Sequence, residues 1–294
     1  MKQSRSIKPM SFKQSDHRRC LALLPCKENA PYTASRGRQI EIVCADHLGR
    51  SYPERVYQGA APYERTVISR AAFHDFSREI IANLFPAPIN ASHRARDFPP
   101  ALGDALYELF KNTHEHARTD VYGNELRKSI RGFQVKHHAL FVETLEKISN
   151  NSPPLAAYCR QRIEQSDRKQ IQLIEVSIFY SGPGMGARWF GKKTSELSVE
   201  DELQGILNCF HKHFSSKKNS GVGLGLSNVT EVLRRNQGFM RLRTGRHSLY
   251  TNLHDEKDRE YEEIPTLTNW SVRSHLAIAN GTLFTFLLPL ERDQ

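Results

Sequence analysis

Ten residues, IQLIEVSIFY (171–180), constrain this chain more than any other stretch. Ile174, Val176, Ile178 and Tyr180 fall on one side of the strand that this alternation predicts. A strand that long needs paired neighbours and a cover for its apolar face, so the chain has to build a sheet. RQIEIVC (38–44), Gly132–Val135, Ala139–Val142, FMRLRTG (239–245) and GTLFTFLLPL (281–290) read as its other strands. Helical spacing takes over at 64–84, where Val67, Ala71, Phe76, Ile80 and Leu84 share a face, and again from about Pro100 to Arg118. Residues 143–170 read as helix split by NNSPP, and Leu226–Arg235 as a shorter helix. Neighbouring strands lie close enough in sequence to pair antiparallel, which predicts an α+β class.

Composition narrows the setting. With 294 residues, 38% of them hydrophobic and 25% charged, the chain is long enough for a real core and reads as soluble and globular. A net charge of +10 suits an anionic partner: a nucleotide, nucleic acid or an anionic membrane surface. No apolar run approaches the ~20 residues of a membrane span. The five cysteines contain no C-x-x-C pair and read as reduced thiols, which points to the cytoplasm. The basic start (Lys2, Arg5, Lys8, Lys13, Arg18, Arg19) lacks the apolar core of a secretory signal. Residues 1–63 are expected to form a tail and a small strand-containing extension, and 64–294 the main domain, with an acidic solvated excursion near 251–263.

Three short segments carry chemistry. SSKKNSGVGLGLSN (215–228) alternates Gly221, Gly223 and Gly225 ahead of a helix. Unpaired N–H groups and the positive dipole end favour an anion there, and glycine allows close backbone approach. The spacing is not that of a Walker loop or a dinucleotide fingerprint. In ALYELFKNTHEHA (105–117), Glu108, Asn112 and His116 are spaced by four and stack beside the apolar stripe. A carboxylate one turn from an amide suits a water-orienting base next to a Mg²⁺ ligand. His114 and His116, two apart, diverge on a helix and do not read as a zinc pair. The third segment, YSGPGM (180–185), places two glycines around a proline directly after the long strand.

In order and content these segments resemble the boxes of the GHKL ATPase superfamily of gyrase, heat-shock chaperones, histidine kinases and mismatch-repair MutL. Glu108-x-x-x-Asn112 resembles the N box, and Ser181-Gly182-Pro183-Gly184-Met185 the first glycine box. Phe210 and Phe214 are placed like the aromatic segment before the ATP lid. GVGLGLSNV, with Gly221, Gly223, Gly225 and Leu226, resembles the second glycine box, and GTLFTFLLPL the closing strand. The resemblance spans roughly residues 70–290. It implies a Bergerat-type two-layer sandwich, a largely antiparallel sheet covered by helices; the helical stretch near 143–170 departs from the pattern as an insertion that lengthens the gap between the first two boxes beyond that of histidine kinases. It also implies ATP and Mg²⁺ as cofactors: Asn112 on the metal, Glu108 orienting water or acceptor, Lys217 or Lys218 on the phosphates, and Thr282 on the adenine side. His116, within Asn112-x-x-x-His116-Ala117, also resembles anti-sigma kinases.

One position departs from the family. The aspartate that reads the adenine amino group is replaced by Tyr180, whose strand parity aims it inward. A phenol can accept a hydrogen bond but brings no charge and more bulk. The expected function is a slow ATPase or ATP-gated switch working with a protein partner, on a stand-alone ATP-binding module. The rivals are a protein kinase of histidine-kinase or anti-sigma type, and a non-catalytic nucleotide- or nucleic-acid-binding module with a degenerate site.

Overall fold

A computed structural model describes residues 39–59, 64–84, 93–166, 169–211, 225–256, 264–271 and 276–290. In chain order these form β1 (Gln39–Ala45), β2 (Tyr57–Gln58), β3 (Thr66–Val67), α1 (Arg70–Leu84) and α2 (His93–His116). Next come β4 (Ile130–Phe141), α3 (Val142–Asn151), α4 (Pro153–Glu164), β5 (Gln170–Tyr180), α5 (Met185–Phe190) and α6 (Val199–Asn208). The chain closes with α7 (Gly225–Arg235), β6 (Phe239–Gly245), β7 (His247–Asn252), β8 (Thr268–Asn269) and β9 (Ala279–Pro289). Seven strands make one antiparallel sheet in the order β1-β4-β5-β9-β6-β7-β8, and β2 and β3 pair separately. The class is α+β.

The long strand read from the sequence is β5, and it lies inside the sheet between β4 and β9. Its even positions Ile174, Val176 and Ile178 share the main core with α1, α2 and α7. From α1 come Phe73, Phe76, Ile80, Ile81 and Leu84, spaced to give one buried face. Leu102, Ala105, Leu106, Leu109 and Phe110 do the same from α2, and Val229 and Leu233 from α7. The helices α1 and α2 cross at Gly103, where a β-carbon would lie 2.9 Å from the His74 Cα and from the Phe73 carbonyl oxygen. The opposite face of the sheet is covered at one end by α3 and α4. Leu145, Tyr158, Cys159 and Ile163 pack there on Ile171, Leu173, Phe239 and Leu287.

Several boundaries differ from the sequence reading. Residues 130–141 form one strand, not two, because the polar Lys136-His137-His138 stays in the ladder opposite Glu175, Ile174 and Leu173. His138 Nε2 bonds Glu175 Oε2 at 3.1 Å, and His137 pairs with Gln172. The helix expected over 64–84 begins at Arg70, since Thr66 and Val67 pair with β2 instead. The second helix starts at His93 and runs through Pro99 and Pro100. Two i→i−4 hydrogen bonds are forfeited at those prolines, and the packing of α2 on α1 has to offset them. No helix is read from the sequence between the turn at 180–185 and the glycine-rich run, but α6 lies there, its start capped by Ser198 Oγ accepting from Asp201 N at 2.9 Å. The segment after β7 is not wholly solvated: Leu253, His254 and Glu256 are buried.

Arg131 on β4 is fully buried and ties the segment between β1 and β2 to α2. It donates to both oxygens of Asp46 at 2.8 and 2.9 Å, to the Ser51 carbonyl at 2.7 Å and to the Tyr57 hydroxyl at 3.0 Å. Tyr57 reaches on to His114 Nδ1 at 3.2 Å.

Candidate nucleotide site

Three distant pieces of chain meet at one end of the sheet. The first is the last third of α2, whose apolar stripe faces the core and leaves Glu108 and Asn112 on its shoulder. Glu108 is nearly buried, its side chain 12% exposed. The second is the start of α7. A β-carbon on Gly225 would lie 3.1 Å from Glu108 Oε2 and 3.4 Å from Asn112 Nδ2, with Asn112 Oδ1 at 3.7 Å. The carboxylate and amide of the N-box-like helix thus stand directly against the N-terminus of the helix that follows the glycine-rich run. Leu226, one residue on, packs against the core.

The third piece is the turn after β5. Gly182 adopts φ +121°, which a side chain would strain, and a β-carbon there would lie 3.2 Å from the His116 carbonyl oxygen. At Gly184 a β-carbon would be 2.9 Å from Thr244 Oγ1 and 3.0 Å from Gly245 N, too close for any residue but glycine. The next residue, buried Met185, opens α5 and donates its backbone N–H to Thr244 Oγ1 at 2.9 Å. Arg188 then draws this turn onto the end of α2. Its guanidinium donates to the carbonyls of His116 at 3.0 Å, Thr119 at 2.6 Å and Asp120 at 2.7 Å.

Tyr180 ends β5 on the inward face, as its parity predicts. It sits directly across from Thr282 on β9, and Thr282 from Thr244 on β6, with the two threonine hydroxyls 3.0 Å apart. The residue keeps some exposure, yet its phenol is enclosed enough for burial to push its pKa up to about 12 against the opposing hydrogen bond from Thr282. Cys209 lies beside it, and burial likewise raises that thiol to about 12, so it is no nucleophile at neutral pH. Phe210 is buried in the core.

Of the residues singled out in the sequence, Glu108, Asn112, His116, Tyr180, Gly182, Gly184, Met185, Gly225, Leu226 and Thr282 belong to these three pieces and their β9 neighbour. Lys217, Lys218, Gly221, Gly223 and Phe214 lie outside the described residues. His114 turns away from Asn112 to meet Tyr57. Among the described residues no group of three or more His, Cys, Asp or Glu side chains could hold a metal. The oxygens of Glu108 and Asn112 are instead a partial, hard-donor set of the kind that Mg²⁺ shares with water and phosphate. Sequence reasoning missed Thr244, Arg188 and Arg70; the last donates to Glu108 and Asp104. Thr244 and Arg70 lie in segments read as strand and helix, but no spacing marks any of the three as a site residue, and only strand register and helix crossing bring them in.

No family model, curated protein or solved structure gives a significant match to this chain. Among the described residues no helix is long and apolar enough to cross a membrane.

Proposed function

We propose that the chain is a GHKL-type ATP-binding protein of Bergerat type, a slow ATPase or ATP-gated switch that acts with a protein partner. One observation carries this reading: Glu108 and Asn112, in the segment that resembles the N box, lie against Gly225, the last glycine of the segment that resembles the second glycine box, more than a hundred residues further along the chain. Gly182, in the turn that resembles the first glycine box, comes close to the same helix at the His116 carbonyl. In this reading the N-terminus of α7 receives phosphate, Asn112 holds Mg²⁺, and Glu108 orients the attacking water. Bound Mg²⁺ would supply charge neutralisation on the phosphates. Thr282 and Tyr180 border the base.

Calorimetry of Mg·ATP against the parent and Asn112→Ala tests this. The parent should bind with an affinity that depends on Mg²⁺, and the variant should lose that dependence while staying folded, because Asn112 lies outside the apolar stripe. Equal Mg·ATP affinity in both would remove Asn112 from the metal. A second reading, a non-catalytic module with a degenerate base site, is favoured by Tyr180 and by the net charge of +10. It predicts nucleic-acid binding that weakens with salt and ignores ATP.

A further inference from the structure

Arg70 is the first residue of α1. It follows Ser69, whose Oγ accepts the Ala72 N–H at 3.2 Å and caps the helix, so the backbone behind the guanidinium is fixed. From there it bridges two carboxylates one turn apart on α2, with Nη1 on Asp104 Oδ1 at 2.9 Å and Nη2 on Glu108 Oε1. The guanidinium also lies over the Tyr107 ring, 4.8 Å from its centroid. Asp104 is held in turn by His74 Nε2 at 2.9 Å. Burial opposes the charge on Arg70, but its two carboxylate partners outweigh it and raise its pKa.

The two oxygens of Glu108 therefore have different surroundings. Oε1 is engaged by Arg70, while Oε2 is the atom that approaches Gly225 at the start of α7. A guanidinium bond of this kind restricts how the carboxylate can turn and offsets its charge. We infer that Arg70 is a positioning residue that acts through Glu108. It holds the carboxylate with Oε2 toward the N-terminus of α7, and it screens a negative charge that would otherwise repel a triphosphate arriving there. The inference rests on the nucleotide reading above. Arg70 is not itself assigned to phosphate, since both its terminal nitrogens are already committed to α2.

A double-variant cycle read by calorimetry with Mg·ATP tests it, using the full chain, Arg70→Gln, Glu108→Gln and the pair together. Arg70→Gln should weaken binding about fivefold, the upper range for a partly exposed ion pair. Glu108→Gln removes the charge that Arg70 screens, so adding Arg70→Gln to it should weaken binding no further, and the pair should bind like Glu108→Gln alone. Arg70→Lys should recover part of the affinity. Should Arg70→Gln fail to fold, Arg70→Lys carries the same cycle, since it keeps the charge and loses the bridging geometry. Equal losses in both backgrounds would mean that Arg70 touches the nucleotide or only supports the fold, and would overturn the inference, as would parental affinity in Arg70→Gln. A parent that binds no nucleotide defeats the proposed function and this inference together. A parent that binds, with an additive cycle, defeats only the inference.

Discussion

The two ends of β5 are built from one strand and do opposite things. Toward the Gln170 end, Ile171 and Leu173 pack against α3 and α4, while Ile174, beyond the polar Gln170 and Gln172 on its own face, enters the main core. At the Tyr180 end, a row across the sheet reads Arg131, Tyr180, Thr282, Thr244, His247, every one of them polar. Arg131, Thr282, Thr244 and His247 are buried. Buried polar groups are costly unless hydrogen-bonded, so this row is held together by specific partners. Thr244 serves Met185 and Thr282, and His247 Nε2 meets the Val199 carbonyl at 3.1 Å. One end therefore secures the sheet through area, and the other through directed bonds that also fix the glycine turn. Changes at the two ends should separate stability from ligand chemistry.

The sharpest separation should come from Glu108→Ala. Turnover is expected to fall by about 10²–10⁴-fold, the range for a general base, while much of the nucleotide affinity remains. Steady-state hydrolysis alongside calorimetry reads both, and parental turnover in the variant would reduce Glu108 to a structural residue. At the other end, Tyr158→Ala removes a fully buried ring that packs on Phe239 and bonds the Gln237 carbonyl at 3.0 Å. Denaturant unfolding should show a loss of about 3–5 kcal/mol, with Mg·ATP affinity unchanged in the fraction that remains folded. A large drop in affinity would mean that the two ends are coupled and the contrast is false.

Tyr180→Asp probes the polar end more finely. An aspartate gives the adenine amino group a charged acceptor and vacates the volume of the ring, so ATP should bind more tightly, and preferentially over GTP, by about 1.5–3 kcal/mol. If the tyrosine instead stacks on the base, affinity falls by about 0.5–1.5 kcal/mol. No change in either nucleotide would take Tyr180 off the base altogether. A separate effect is expected on acid stability. Burial raises the Asp46 pKa, but the hydrogen bonds and charge of Arg131 outweigh it and leave the group below its ordinary value. Its ionised form is then favoured by folding. That contribution is complete above the unfolded pKa of about 3.9 and fades as the pH falls through the folded value. Asp46→Asn should lower stability at neutral pH and flatten its decline below about pH 4, and an unchanged slope in urea melts would count against the pairing.

Elements with strong periodicity were legible in the sequence. Strands β5, β6 and β9 and the helix α7 fall within a residue or two of where alternation or helical spacing places them. The shoulder Glu108-Asn112 was legible too, because a spacing of four puts side chains on one side of a helix. What stayed hidden depends on pairing across long separations. The charged and histidine-rich middle of β4 looked like a break until Glu175 and Gln172 were placed opposite it. β7 carries no clean alternation, since His247, Ser248 and Leu249 are all buried. The helix α6 did leave a signal, Ser198 ahead of Glu200, Asp201 and Glu202, which is an N-cap followed by an acidic first turn. No spacing rule connects Arg70 to Glu108, because they come from different helices.

Arg131 has a consequence for how the molecule opens. Among the described residues β1 has a neighbour on one side alone, and such an edge strand would ordinarily be the first to fray. Peeling it away, with the loop that carries Asp46 and Ser51, would strand a guanidinium inside the sheet with its carboxylate gone. Leaving a buried charge uncompensated costs on the order of 3–5 kcal/mol. The amide protons of Ile40, Ile42 and Cys44 should therefore exchange with solvent as slowly as those of β5, and the edge and the middle of the sheet should open as a single cooperative unit.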